Sequence, residues 1–118
     1  TTVANRYFKR SDYHNNIKQY IGNALDIIPK LECKFQLAFI DADKENYSNY
    51  FDLIIDKLDV GGIIIADNVL WSGKVTEKEK DEETTALDHY NKKIVASERV
   101  ETVLLAVRDG LMISRKIK

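Results

Sequence analysis

Two near-continuous apolar runs, Phe35-Gln36-Leu37-Ala38-Phe39-Ile40 and Gly62-Ile63-Ile64-Ile65-Ala66, constrain this chain more than any other feature. A strand with one face in water alternates apolar and polar residues. A strand covered by helices on both faces does not, and such strands are usually parallel. Between the runs, Tyr47, Tyr50, Phe51, Ile54, Ile55 and Leu58 recur at i, i+3, i+4, i+7, i+8 and i+11, the spacing of an amphipathic helix. From Leu37 to Asp67 is 31 residues, close to the ~30 of one βαβ unit. Gly61-Gly62 is expected to turn the chain into the second strand.

The remaining apolar runs are Ile17 to Gly22, Val100 to Val107 and Leu111 to Ser114. The last two flank Arg108-Asp109-Gly110, and Asp-Gly between β-patterned segments is a hairpin signal. A helix is expected from about Glu83 to Ser97, with Leu87, Tyr90 and Ile94 on one face. Val3 to Arg10 and Ala24 to Leu31 read as shorter helices. The fold class is therefore α/β, mostly parallel with an antiparallel edge. A chain of 118 residues suffices for one domain around one core.

Composition points away from several functions without excluding nucleic acid. A net charge of −1 gives no footprint for nucleic acid or anionic lipid. The acidic residues gather between Glu77 and Glu83, a solvated loop or helix start. No apolar run approaches the ~20 residues of a membrane span. The single cysteine, Cys33, excludes an internal disulfide and favours a reducing, cytoplasmic setting. The first residue is Thr1 and the only methionine is Met112, which reads as a processed or excised segment.

The chemistry-bearing residues follow the two strands. Asp41 comes directly after the first run; Asp67 and Asn68 come directly after the second. On adjacent parallel strands they share one carboxyl edge, where open α/β sheets bind ligands. Strands lie about 4.8 Å apart and Mg²⁺–oxygen bonds are about 2.1 Å, so two strand-end carboxylates can close on one ion. Their oxygen-only chemistry suits Mg²⁺, Mn²⁺ or Ca²⁺ and argues against zinc. Taken singly, each is more readily a turn or helix cap than a ligand, and only their coincidence at the ends of two paired strands brings the two readings level. Lys44, three residues beyond Asp41, reads from spacing alone as an exposed helix-start lysine, with a general base as the alternative.

Phe39-Ile40-Asp41-Ala42-Asp43-Lys44-Glu45-Asn46-Tyr47 and Gly61 to Gly73, ending Asp67-Asn68-Val69-Leu70-Trp71-Ser72-Gly73, together resemble the cation-dependent O-methyltransferases of the caffeoyl-CoA and catechol type and their bacterial relatives. Gly22-Asn23-Ala24 looks like the family's Gly-Asp-Ala, with Asn23 in place of aspartate, and Val103 to Ser114 looks like its closing hairpin. The resemblance implies a Rossmann-like class I methyltransferase sheet. It implies that Asp41, Asp67 and Asn68 hold the metal and that Lys44 is the catalytic base. It also implies that Ala24, Asp41 and Asp43 meet S-adenosylmethionine and that Trp71 lies beside the acceptor. The acceptor would be a small hydroxylated molecule, catechol-like or related, chelated by the ion. Family members are commonly dimers, so a homodimer is compatible.

One departure is large. The family's glycine-rich cofactor loop follows its first strand, and here the five glycines, Gly22, Gly61, Gly62, Gly73 and Gly110, form no G-x-G. Residues 1–118 therefore read as the carboxyl-terminal part of a single methyltransferase domain, lacking the first two strands. Alone, such a chain is expected to bind the cofactor weakly or not at all. A non-catalytic, self-associating module is the competing reading. The strand resembling Ile17 to Gly22 and the strand Leu37 to Ile40 would each lack a partner. Such edges are expected to be covered, by pairing with each other or with a second copy.

Overall fold

The computed structural model describes residues 2–118. The two apolar runs form a parallel pair: β1, Phe35–Ile40, beside β2, Leu58–Asp67, with Ala38 opposite Ile64 and Ile40 opposite Ala66. Strand β2 also pairs antiparallel with β4, Leu111–Lys116, which pairs antiparallel with β3, Val100–Leu105. The sheet order is β1-β2-β4-β3, so only β4 runs against the other strands. The β3–β4 hairpin lies where Asp109-Gly110 signalled it, with β4 inserted at the centre.

Four α-helices accompany the sheet among the described residues: α1 (Thr2–Arg10), α2 (Ala24–Ile27), α3 (Tyr47–Ile55) and α4 (Glu82–Ala96). Helix α3 buries Tyr47, Tyr50, Phe51, Ile54 and Ile55, and α4 buries Thr84, Leu87, Tyr90 and Ile94. Both lie on the sheet face that carries Ile40, Ile64, Ala66 and Met112, and together these residues are the core. The rings of Tyr47 and Tyr90 meet edge to face at 5.5 Å. Asp81 caps α4, its side chain accepting from the Thr84 N–H at 2.8 Å, with Glu82 and Glu83 at the positive end of the helix dipole. At the end of α3, the buried Lys116 donates to the carbonyls of Ile55 and Leu58, both at 2.8 Å.

Four sequence expectations need correction. The helix ends at Ile55, and Leu58, though buried, opens β2 instead of closing α3. Gly61-Gly62 is not the turn before β2 but an irregularity inside it. The pairing steps from Phe35–Leu58 to Leu37–Ile63, so extra residues of β2 bulge out, and Gly61 takes a positive φ of 86°. Residues 17–22 form no strand and do not pair with β1; Ile17, Tyr20 and Ile21 are exposed. The helices cover one face of the sheet only, and Leu37, Phe39 and Val103 on the other face are more than half exposed. The open edge of β1 has no strand beside it among the described residues.

Gly110 fastens the hairpin turn to the loop after β2. A Cβ there would lie 2.6 Å from Leu70 Cγ, whereas one at Gly61 would meet nothing within 4 Å, although both glycines have φ near +85°. Placing an L-residue in this backbone region costs roughly 1–2 kcal/mol. Gly61→Ala should lose about that much in urea unfolding, and Gly110→Ala measurably more, the difference reporting the close approach. Equal losses would show that the turn yields without strain.

Candidate active site

The register of β1 and β2 brings Asp41 and Asp67 to the same edge of the sheet, one residue past the Ile40–Ala66 pair. Beyond Asp41, a 3₁₀ turn at Lys44–Asn46 leads into α3 and directs the Lys44 side chain back under that edge. Lys44 is 7% exposed, so it is not the surface lysine that spacing alone suggested. Its Nζ donates to Tyr47 Oη at 2.6 Å, to Asp41 Oδ1 at 3.3 Å and to Asn68 Oδ1 at 3.4 Å. Three acceptors for three ammonium protons satisfy a charge that would otherwise be costly to bury. The ring of Tyr47, at 4.7 Å, and that of Trp71, at 5.6 Å, add aromatic faces around the same nitrogen.

Tyr47 was legible in the sequence only as a core position of the helix. Its hydroxyl accepts from Lys44 and donates to the Asp67 main-chain carbonyl at 2.8 Å, tying α3 to the end of β2. Burial, reinforced by the charges of Asp41 and Asp67, holds its acidity well below that of an ordinary tyrosine, so the phenol stays protonated. The available signal was the residue type, because a buried tyrosine needs a partner for its hydroxyl where a phenylalanine does not.

The loop after β2 is built on left-handed backbone. Asn68, Trp71 and Ser72 have φ values of 61°, 50° and 55°. Asp67 Oδ1 accepts the Asn68 N–H at 2.7 Å. Asp109, from the hairpin turn, accepts the Ser72 N–H at 2.6 Å and the Asn68 amide Nδ2 at 3.3 Å. Trp71 is half-buried against the core while its ring faces Lys44. Among the described residues, no three His, Cys, Asp or Glu side chains are grouped to hold a metal ion. The candidate donors are instead two carboxylates and an amide. Asp41 and Asn68 each turn an oxygen toward one cation, the Lys44 ammonium, and hard oxygens of this kind fit a hard divalent ion.

Ala24 and Asp41 line a cleft of about 480 Å³ with Ile28, Phe39, Ile40, Ala42, Tyr50 and Ile54. Asp43 does not line it; its carboxylate accepts from Tyr50 Oη and Asn46 Nδ2. A larger concavity, about 810 Å³, opens at the start of β1 and contains none of the candidate residues, so size does not locate the chemistry.

The Asp43–Tyr50 bond is a pH-sensitive contact with two sides. Hydrogen bonds from Tyr50 and then Asn46 lower the Asp43 pKa from 3.8. Burial, followed by the bond to Asp43, raises that of Tyr50 from 10.0 to about 12. A depressed carboxylate contributes stability above its unfolded value and loses it as pH falls through the folded one. A raised phenol contributes below its unfolded value and loses it as pH rises through the folded one. The stability advantage of the parent chain over Tyr50→Phe should therefore be flat between pH 3.8 and 10.0 and shrink on both sides. Urea midpoints of the two proteins across pH measure it, and a constant difference would mean that the bond does not form.

The family model described as O-methyltransferase matches residues 1–117. A flavonoid 3',5'-methyltransferase of Vitis vinifera is 32% identical over 124 aligned residues, covering 94% of this chain and 53% of the relative. A caffeoyl-CoA O-methyltransferase of Mesembryanthemum crystallinum is 40% identical over 90 residues, covering 70% and 35%. The crystal structure of an O-methyltransferase from Bacillus cereus in complex with SAH superposes with a TM-score of 0.86 at 26% identity, covering 98% of this chain and 57% of that one. The SAH-bound methyltransferase PaMTH1 of Podospora anserina gives 0.85 at 27%, covering 99% and 56%. The chain thus spans about half the length of the relatives it matches.

Proposed function

The chain belongs to the O-methyltransferase family, and we propose that it forms the carboxyl-terminal part of one methyltransferase domain, the part that holds a divalent cation and activates the acceptor. The position of Lys44 carries this reading: a buried amine held among Asp41, Asn68 and Tyr47 at the carboxyl edge of the sheet, beneath Trp71. A lysine whose only task was solubility would not be placed there.

Asp41, Asp67 and Asn68 would hold the ion, Mg²⁺ by preference and Mn²⁺ or Ca²⁺ as alternatives for the same oxygen donors. A cation bound there would lower the pKa of an acceptor hydroxyl. In its neutral form Lys44 would receive that proton at Nζ, leaving an acceptor oxygen able to take the methyl group that S-adenosylmethionine would supply as its carbon–sulfur bond breaks. Tyr47 keeps Nζ in place, its protonated phenol fixed at the other end by the Asp67 carbonyl. Ala24 and Asp41 offer one wall of the cofactor cleft, and Asp43 restrains the Tyr50 ring that lines it. Trp71 shields the site beside the acceptor. The acceptor is a small hydroxylated aromatic molecule, a class that fits both the ion and the names of the relatives. The protein acts in the cytoplasm, where the exposed, unpaired Cys33 stays reduced.

The chain alone is a different matter. No G-x-G loop occurs in its 118 residues, and the open edge of β1 borders the cofactor cleft. Calorimetric titration of the isolated chain with S-adenosylmethionine should show no micromolar binding, whereas Mn²⁺ should bind and Asp67→Ala should abolish that binding. In the complete domain, Lys44→Ala should lower kcat by roughly 10²–10⁴-fold, the usual loss for a general base, with cofactor affinity little changed. An unaltered kcat across the pH range would leave Lys44 as a buried structural cation.

A further inference from the structure

Asn68 faces two neighbours of opposite demand. Its Oδ1 lies 3.4 Å from Lys44 Nζ, and its Nδ2 donates to Asp109 Oδ2 at 3.3 Å. An amide has one accepting and one donating end, while a carboxylate only accepts. With Asp109 on one side, the NH₂ must turn toward the hairpin and the oxygen toward the site. Asp109 can keep this orientation because it is itself fixed: its other oxygen accepts the Ser72 main-chain N–H at 2.6 Å. Its own main-chain carbonyl accepts the Leu70 N–H at 3.0 Å.

We infer that Asp109 is a positioning residue that locks the Asn68 amide with its oxygen presented to the cation site. The inference rests on the reading of Asn68 as a ligand, and it assigns a task to a turn residue that the hairpin alone does not require. Any residue compatible with the turn would close β3 onto β4, but only an acceptor on both sides fixes the amide.

The role can be separated from bracing the loop. In Asp109→Asn, one oxygen becomes an NH₂ group. The Ser72 N–H cannot change polarity, so the remaining oxygen stays with it and the new NH₂ faces Asn68. The preferred orientation of the Asn68 amide is then inverted, and its nitrogen is turned toward the site. The loop brace survives while the lock is lost. The double exchange Asn68→Asp with Asp109→Asn keeps the net charge, retains the hydrogen bond with reversed direction, and presents an oxygen to the site either way.

Mn²⁺ titration followed by its paramagnetic resonance signal tests this in the full chain, with emission from Trp71, the only tryptophan, reporting the loop. Asp109→Asn should weaken Mn²⁺ binding by roughly 10–100-fold, the range for groups that orient a ligand, with Trp71 emission and the thermal midpoint near those of the parent. The double exchange should recover most of the lost affinity, so the two substitutions are strongly non-additive. If Asp67→Ala abolishes binding but Asp109→Asn binds as the parent does, the site reading stands and the lock is refuted. If Asp109→Asn is weak and the exchange restores nothing, orientation is not what Asp109 provides. If the parent chain binds no Mn²⁺, the site reading falls, and the inference with it.

Discussion

The parallel pairing of β1 with β2 is the constraint on which everything else depends. Parallel strands need a crossover, and this crossover is α3 with its leading 3₁₀ turn. The register that places Ile40 opposite Ala66 sets Asp41 beside Asp67. The same crossover returns Lys44 and Tyr47 beneath both. A slip of one residue would reverse the faces of β1 and turn Ile40 away from the core. The apolar run that forms the strand and the charged residues that end it are therefore one specification: burial fixes the register, and the register positions the carboxylates.

How much of this the sequence disclosed depended on the range of the interaction. Local periodicity located α3 and α4 to within a few residues, and Asp109-Gly110 located the hairpin, because each signal lies within one element. The Gly61-Gly62 bulge was misplaced because its cause is long-range. Phe35 pairs with Leu58 before the irregularity, and nothing near the glycines reports that. Residues 17–22 have the apolar content of a strand, but a strand exists only through its partner, and none is offered here. Lys44 was the most ambiguous residue by spacing. Its burial comes from Trp71, Tyr47 and Asn68, the first and last of which lie more than twenty positions away in the chain.

The polar groups of the site connect three separate segments to the end of β2. Tyr47 joins α3 to the end of β2 through the Asp67 carbonyl, Asn68 joins that end to the hairpin turn through Asp109, and Asn91 of α4 donates to the Val69 carbonyl at 2.8 Å. Each bond satisfies a group that would otherwise be stranded at a strand or loop end, so the network stabilises the fold and sets the geometry together. The left-handed residues from Asn68 to Ser72 make sense in this light. Backbone in this region costs energy for any residue other than glycine and persists when surrounding contacts over-determine it. Here Asp109, Gly110 and Asn91 do so from two sides.

The two sheet faces show where the chain is self-sufficient and where it is not. On the α3–α4 face, Ile64, Ala66 and Val69 have no exposure, and Lys44, which borders this face, donates to Asp41, Tyr47 and Asn68. On the opposite face, Leu37 and Phe39 line up in register with Ile63 and Ile65 of β2, and Ile113 and Val103 continue the row from Ile65. Apolar residues in register on an uncovered face lose the burial that would make their β-pattern favourable, and β1 adds an unpaired edge to it. The cleft that Ala24 and Asp41 line reaches from Phe39 and Ala42 to Ile40, Tyr50 and Ile54 of the α3–α4 face, and it shares Asp41 with the Lys44 network. The two therefore meet at Asp41 but differ in their surroundings: the Lys44 network is held by contacts within the chain, and the cleft is also lined by residues of β1, whose outer edge has no strand beside it among the described residues.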